Sequence, residues 1–203
     1  MHLKFSAFLS LILLSAFSFG QNSTFNKVDV ESSIFVIKGS TNVNRFECEM
    51  NQAYENEQLV VRSSREDRII SFDGLKLCYP VSGFQCAIKA MSKDLQQTLK
   101  SDEFPCLFME INKIIIAEEN DAIENLKVKS EVTITIAGTT VTMIIEDGQV
   151  VNHSENSLTL FGNKVLKMTD FGIEPPTKFL GLVQVTNDLD VTFEIKLIVQ
   201  PAK

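Results

Sequence analysis

Residues 126–136 read Leu126-Lys127-Val128-Lys129-Ser130-Glu131-Val132-Thr133-Ile134-Thr135-Ile136. Leu126, Val128, Val132, Ile134 and Ile136 fall on one phase of a period-two pattern; Lys127, Lys129, Glu131, Thr133 and Thr135 fall on the other. That alternation marks a β-strand with one buried face. Working outward, Ala137-Gly138-Thr139 turns the chain. Val141, Met143 and Ile145 then resume the apolar face until Glu146-Asp147-Gly148, a hairpin-type signal. The last run repeats the pattern, with Val191, Phe193, Ile195, Leu197 and Val199 set against Thr192, Glu194 and Lys196.

Weaker alternation predicts strands at 34–39, 45–50, 59–63, 69–79, 107–116 and 157–160, giving about eight to ten strands in all. Short connections make them antiparallel. One helix is expected around 92–101, with Ser92 as N-cap, Asp94 at its positive end and Leu95 and Leu99 on one face. Asp102-Glu103-Phe104-Pro105 ends it, because the residue before proline avoids helical geometry. No linker or repeat divides the chain. Runs of eleven or more residues, as at 125–137 and 188–199, suit the tilted staves of an antiparallel β-barrel better than the short strands of a sandwich.

Composition narrows the function. Lys and Arg number 19 against 26 Asp and Glu, a net charge of −7, which lacks the positive surface that nucleic-acid binding demands. Only His2 and His153 are present, so no multi-histidine metal site can be built, and any histidine-based catalytic set would have to run through His153. No catalytic residue, metal or cofactor is assigned. Asp170-Phe171-Gly172 matches a kinase tripeptide without the rest of the kinase set. The acidic run 118–124 lacks calcium-loop spacing and reads as a solvated hairpin tip. His153, among Asn152, Ser154 and Asn156, reads as a surface loop residue. Arg62, Arg65 and Arg68 read as partners of Glu66 and Asp67, or as neighbours of an anionic head group at a barrel mouth.

Residues 1–20 have the form of a signal peptide: Lys4, an apolar stretch from Phe5 to Phe17, and small residues at Ser18 and Gly20. The apolar stretch is shorter than a membrane span needs. The mature domain is therefore 21–203, expected in the periplasm or secreted. Cys48, Cys78, Cys86 and Cys106 all lie within it, and an even count in an exported chain favours two disulfides. Three pairings are open. The matched contexts Phe46-Glu47-Cys48 and Phe84-Gln85-Cys86 favour Cys48 with Cys86, leaving Cys78 with Cys106.

The stretch from Ala90 to Pro105, with Met91 and Asp94 ahead of Leu99-Lys100-Ser101-Asp102-Glu103-Phe104-Pro105, resembles a block of the YceI-like family. There a Met and an Asp precede a Leu-Lys-x-x-x-aromatic-Pro turn. Thr135-Ile136-Ala137-Gly138-Thr139-Thr140 resembles a second block. Phe171-Gly172-Ile173-Glu174-Pro175-Pro176, followed by Val191-Thr192-Phe193-Glu194, resembles a third. The chain departs from the family in the short Ser82–Cys86 segment, which lacks a histidine, and in its cysteines. The resemblance implies a lipocalin-like antiparallel β-barrel, exported, holding a polyisoprenoid or other long-chain lipid in its lumen as carrier or buffer.

The residues expected to line such a lumen are Leu107, Met109, Ile111, Val128, Val132, Ile134, Ile136, Met143, Ile145, Phe193 and Ile195. Each buried CH₂ contributes ~0.8 kcal/mol, so an apolar lumen binds a hydrocarbon chain without any polar motif. The same side chains would fill a solid core equally well. The competing expectation is therefore a solid envelope barrel working through protein–protein contacts. A homodimer is compatible with either.

Overall fold

The computed structural model describes residues 23–53, 58–117 and 125–201. The segment 1–20 and the acidic run 118–124 lie outside the described residues. The strands are β1 (Ser23–Ser40), β2 (Arg45–Ala53), β3 (Gln58–Glu66), β4 (Ile69–Asp73), β5 (Lys76–Pro80), β6 (Gln85–Cys86), β7 (Cys106–Ile116), β8 (Asn125–Ile136), β9 (Thr139–Ser154), β10 (Ser157–Lys167), β11 (Thr177–Lys178), β12 (Val183–Gln184) and β13 (Asp188–Pro201). Among the described residues a single α-helix, α1 (Lys89–Thr98), stands between β6 and β7.

The alternating strands close on themselves. The order β13-β10-β9-β8-β7-β4-β3-β1 becomes a ring of eight because β1 also pairs with β13, from Asn26↔Pro201 to Lys38↔Asp190. Two staves of that ring are interrupted strands. β2 and β3 both run antiparallel to β1 along its other edge, β2 against Ser32–Ser40 and β3 against Ser23–Asp29. β4 and β5 likewise share one edge of β7. Between them the chain bends at Gly74, whose φ of 92° lies where glycine is at ease and other residues are not. The stretch 69–79 is thus one stave with a kink.

At one end of the barrel β3 and β4 pair directly, Arg62↔Asp73 to Glu66↔Ile69. At the other end, which carries α1, their continuations β2 and β5 part, and the segment 81–86 fills the seam. Two disulfides tie the two sides of this seam. Cys48–Cys86 fastens β6 to β2, and Cys78–Cys106 fastens β5 to β7.

The outward phase is polar and paired across strands. Lys38 meets Glu47 at 3.3 Å, Lys113 meets Glu131 at 3.6 Å, and Thr135 Oγ1 lies 2.9 Å from Thr140 Oγ1. Such exposed pairs contribute roughly 0–1 kcal/mol each and mainly keep this face in water. The inward phase carries the fold. Val128, Val132, Ile134, Ile145, Phe193, Ile195 and Leu197 are all buried.

Three local readings change. Glu146-Asp147-Gly148 makes no hairpin: β9 runs straight through it, and the register steps from Val128↔Gly148 to Ser130↔Ile145. A β-bulge results, at which a side chain on Gly148 would crowd the Val128 carbonyl at 3.0 Å. Lys129 and Glu146 span the bulge at 2.7 Å. Their hydrogen bond and mutual attraction raise the lysine's pKa and lower the carboxylate's.

The helix begins at Lys89, three residues before the expected start, with Ile88 at the N-cap. Ser92 sits inside the helix, where its Oγ accepts the backbone N–H of Cys86 at 2.8 Å. The helix start is set by attachment to the disulfide seam. Its end follows Leu99, with Lys100 in the left-handed region at φ 54°. His153, read as a loop residue, belongs to β9, with Nε2 2.8 Å from Thr159 Oγ1 on β10.

Candidate functional site

The barrel interior divides into three zones along its axis. In the middle, large side chains meet. Phe35 on β1 packs against Tyr79 on β5 with ring centroids 4.9 Å apart, and edge-on against Phe84 from the seam at 5.8 Å. Ser33 Oγ donates to Tyr79 Oη at 2.8 Å within this fully enclosed cluster. Leu107, Met109, Val132, Ile134 and Ile195 complete the waist, each with no more than 2% of its surface exposed. It is a packed core.

Toward α1 the interior holds a void of about 30 Å³, lined by Leu95, Leu99, Phe35 and Ile37 among others. Leu99 is the one buried helix-end residue that seals it. Outside, between α1 and the β11–β12 hairpin, an apolar groove of about 280 Å³ shares Leu95, Thr98, Met168 and Leu189 with that void.

Away from α1 the barrel is hollow. A cavity of about 240 Å³ lies among the ends of β1, β3, β4, β7, β8, β9, β10 and β13. Val28, Val61, Leu75, Val150, Leu160 and Leu197 form its buried wall. Half-buried Ile116, Leu126, Leu158 and Val199 stand around them. Asn26, Ser63 and Asn152 are its polar members, and Asn26 Nδ2 donates to Ser63 Oγ at 2.7 Å. An engineered apolar cavity of ~150 Å³ takes up benzene. By that measure this one has room for roughly ten carbon atoms.

The residues expected to line a lumen sit mostly in another part of the barrel. Leu107, Met109, Ile111, Val132, Ile134, Ile136, Ile145, Phe193 and Ile195 are buried and face inward, and Met143 is half-buried on the same face. Val128, expected on the same inward face, does border the 240 Å³ cavity; none of these ten does, and Leu107 and Ile136 touch only the 30 Å³ void. They belong to the halves of their strands where the interior is occupied by aromatic rings. The residues that do line the cavity continue the same alternation toward the far ends of the strands, where the inward side chains are mostly aliphatic.

Near the cavity end, Arg65 Nε donates to the Asp67 backbone carbonyl at 3.1 Å, and an Arg68 guanidinium nitrogen to that of Ala117 at 3.4 Å. Their partners are thus carbonyls rather than the carboxylates of Glu66 and Asp67. Among the described residues no group of three His, Cys, Asp or Glu side chains could hold a metal ion, and no helix is long and apolar enough to cross a membrane.

Ring closure, stave length and the single inserted helix define an antiparallel lipocalin-like β-barrel. Solved structures share this fold. BcnA of Burkholderia cenocepacia matches with a TM-score of 0.54 at 14% identity, over 83% of this chain and 99% of its own. A polyisoprenoid binding domain from Saccharophagus degradans, implicated in plant cell wall breakdown, matches with a TM-score of 0.59 at 10% identity, over 87% of this chain and 98% of its own. The YceI protein of Campylobacter jejuni aligns more loosely, with a TM-score of 0.47 at 20% identity over 65% and 74% of the two chains. At these identities the likeness is one of fold. No protein-family model and no curated protein matches the chain.

Proposed function

We propose that this chain is an exported, YceI-like lipid-binding protein, with residues 1–20 its signal peptide and 21–203 its barrel. It holds the end of a polyisoprenoid or fatty chain in the cavity away from α1, as a carrier or buffer rather than as an enzyme. The observation that carries this reading is the apolar cavity of about 240 Å³ inside a closed β-wall. Enclosed apolar space with few polar groups is the form that hydrocarbon-binding sites take. The filled waist limits the reach. About ten carbons fit inside, and the rest of a longer chain lies at or beyond the mouth. The two disulfides support a place in the periplasm or outside the cell.

The filled waist also supports a second reading, a solid barrel that acts through protein contacts. Native mass spectrometry with solvent extraction of the purified protein separates the two. The lipid-binding reading predicts a co-purifying hydrocarbon-chain ligand. Leu160→Trp or Val150→Phe, which place bulk in the cavity, then lower its occupancy at least about tenfold, the equivalent of two lost CH₂ contacts. A ligand-free protein that takes up no added lipid, or one whose occupancy both variants leave unchanged, overturns it.

A further inference from the structure

Cys48 and Cys86 are direct cross-strand partners, Cys48 on β2 and Cys86 on the two-residue β6. Their surroundings differ. Cys48 has none of its surface exposed, whereas Cys86 is half-buried and borders an open surface hollow of about 740 Å³. Lys89, Ser92, Lys93 and Gln96 of α1 line the same hollow. A nucleophile arriving from solvent therefore reaches the sulfur of Cys86 rather than that of Cys48.

The charge around Cys86 favours an attacking anion. α1 begins close after Cys86, at Lys89; no side chain caps its N-terminus and no acidic residue stands in its first turn. The positive end of the helix dipole is thus left to the hollow. Lys89 and Lys93, one turn apart, are exposed, and neither enters a salt bridge among the described residues. The carboxylates nearby are turned away. Glu47 and Glu49 alternate with buried Cys48 on the exposed face of β2, and Glu47 pairs with Lys38. Asp94 lies on the groove side of α1 and pairs with Lys178. Cys78–Cys106 lacks this setting: it joins β5 to β7 within a continuous five-residue pairing, and no α-helix begins beside it. Its neighbour Lys76 lies over the Phe108 ring at 4.7 Å and in register with Glu110.

We propose that Cys48–Cys86 is a site of thiol–disulfide exchange, at which a dithiol donor reduces the chain through Cys86. A thiolate of the donor attacks Cys86 Sγ, the S–S bond breaks, and Cys48 leaves as a thiolate that takes a proton from water. The donor's second thiol, once deprotonated, attacks the donor sulfur of the mixed disulfide and expels Cys86 as a thiolate beside Lys89 and Lys93. The donor becomes a cyclic disulfide and the chain gains two thiols, so two electrons and two protons pass to the chain. In both steps a negative charge is shared among three sulfurs, and cations beside Cys86 lower the barrier.

Opening this bond unfastens α1 from β2. The β2–β6 pairing is two residues long. The bonds from Cys86 N–H to Ser92, and from Gln96 Nε2 to the Ser82 and Phe84 carbonyls, join the segment to α1 rather than to the barrel wall. The proposal does not rest on what the barrel holds.

The test treats the folded, oxidised protein with dithiothreitol, quenches in acid at successive times, alkylates the unfolded chain and quantifies each cysteine by peptide mass spectrometry. Cys48 and Cys86 should become alkylated at least about tenfold faster than Cys78 and Cys106. Lys89→Gln with Lys93→Gln should slow the opening of Cys48–Cys86 at least about threefold, with Cys78–Cys106 and the melting temperature unchanged. Added salt should narrow the difference between this variant and the parent. With glutathione in place of dithiothreitol, the mixed disulfide should form on Cys86. Equal or reversed rates for the two bonds, a lysine variant that opens as fast as the parent, or glutathione carried on Cys48 overturns the proposal.

Discussion

Phe35→Ala should cost about 3–5 kcal/mol of folding stability, the range for emptying a well-packed aromatic site. Phe35 is 1% exposed and is the one ring that touches both Tyr79 and Phe84. Its removal takes away the ring tilted against Tyr79, and the 30 Å³ void it borders grows into the waist. Urea denaturation should show the midpoint falling at constant slope. Val60→Ala, at a site 67% exposed, should shift it by less than about 0.5 kcal/mol. If Phe35→Ala costs no more than Val60→Ala, the waist is not packed as described.

Loss of the seam disulfides should have a comparable effect. Cys48 and Cys86 close a loop with a sequence separation of 38, and Cys78 and Cys106 one of 28. On the chain-entropy account each cross-link restricts the unfolded chain by about 4 kcal/mol. Cys48→Ala with Cys86→Ala should therefore lower the melting temperature by roughly 10 °C. This pair has a local consequence as well. It fastens the segment carrying Phe84 and α1 to β2, so amide exchange around residues 84–99 should rise further than exchange in β8 and β9. Uniform exchange throughout would mean that the seam is held by its packing alone.

The parts of this barrel that were legible in the sequence are those where one face meets water and the other does not. Residues 126–136 and 191–199 declare their inward side chains because Lys, Glu and Thr alternate with Val, Ile and Phe. Elements whose limits are set by distant contacts were not legible. Ser92 has the chemistry of an N-cap, but the helix starts at Lys89 because Cys86 is tied to β2 and Ser92 serves the seam. Glu146-Asp147-Gly148 has the composition of a turn, but pairing with β8 on both sides of it carries the strand through and makes it a bulge.

The position of the cavity was hidden for a related reason. Alternation tells which side chains point inward; it does not tell how far they reach across. That depends on which ring of residues the register assembles. Register brings Phe35 opposite Phe193 and seats Phe84 and Tyr79 near the same level. Seven residues along β1, Val28 stands opposite Val199. Rings meet at the waist, and aliphatic side chains leave space beyond it.

A hydrocarbon-chain length series tests this division most directly. Titrating the protein with saturated fatty acids of increasing length should raise affinity by about fourfold per CH₂, the equivalent of ~0.8 kcal/mol, while carbons enter the cavity. The gain should level off near about ten carbons, where the waist stops the chain. Affinity that climbs without a break to sixteen carbons or more would mean a tunnel through the waist, and no binding at any length would mean that the hollow is not a lipid site.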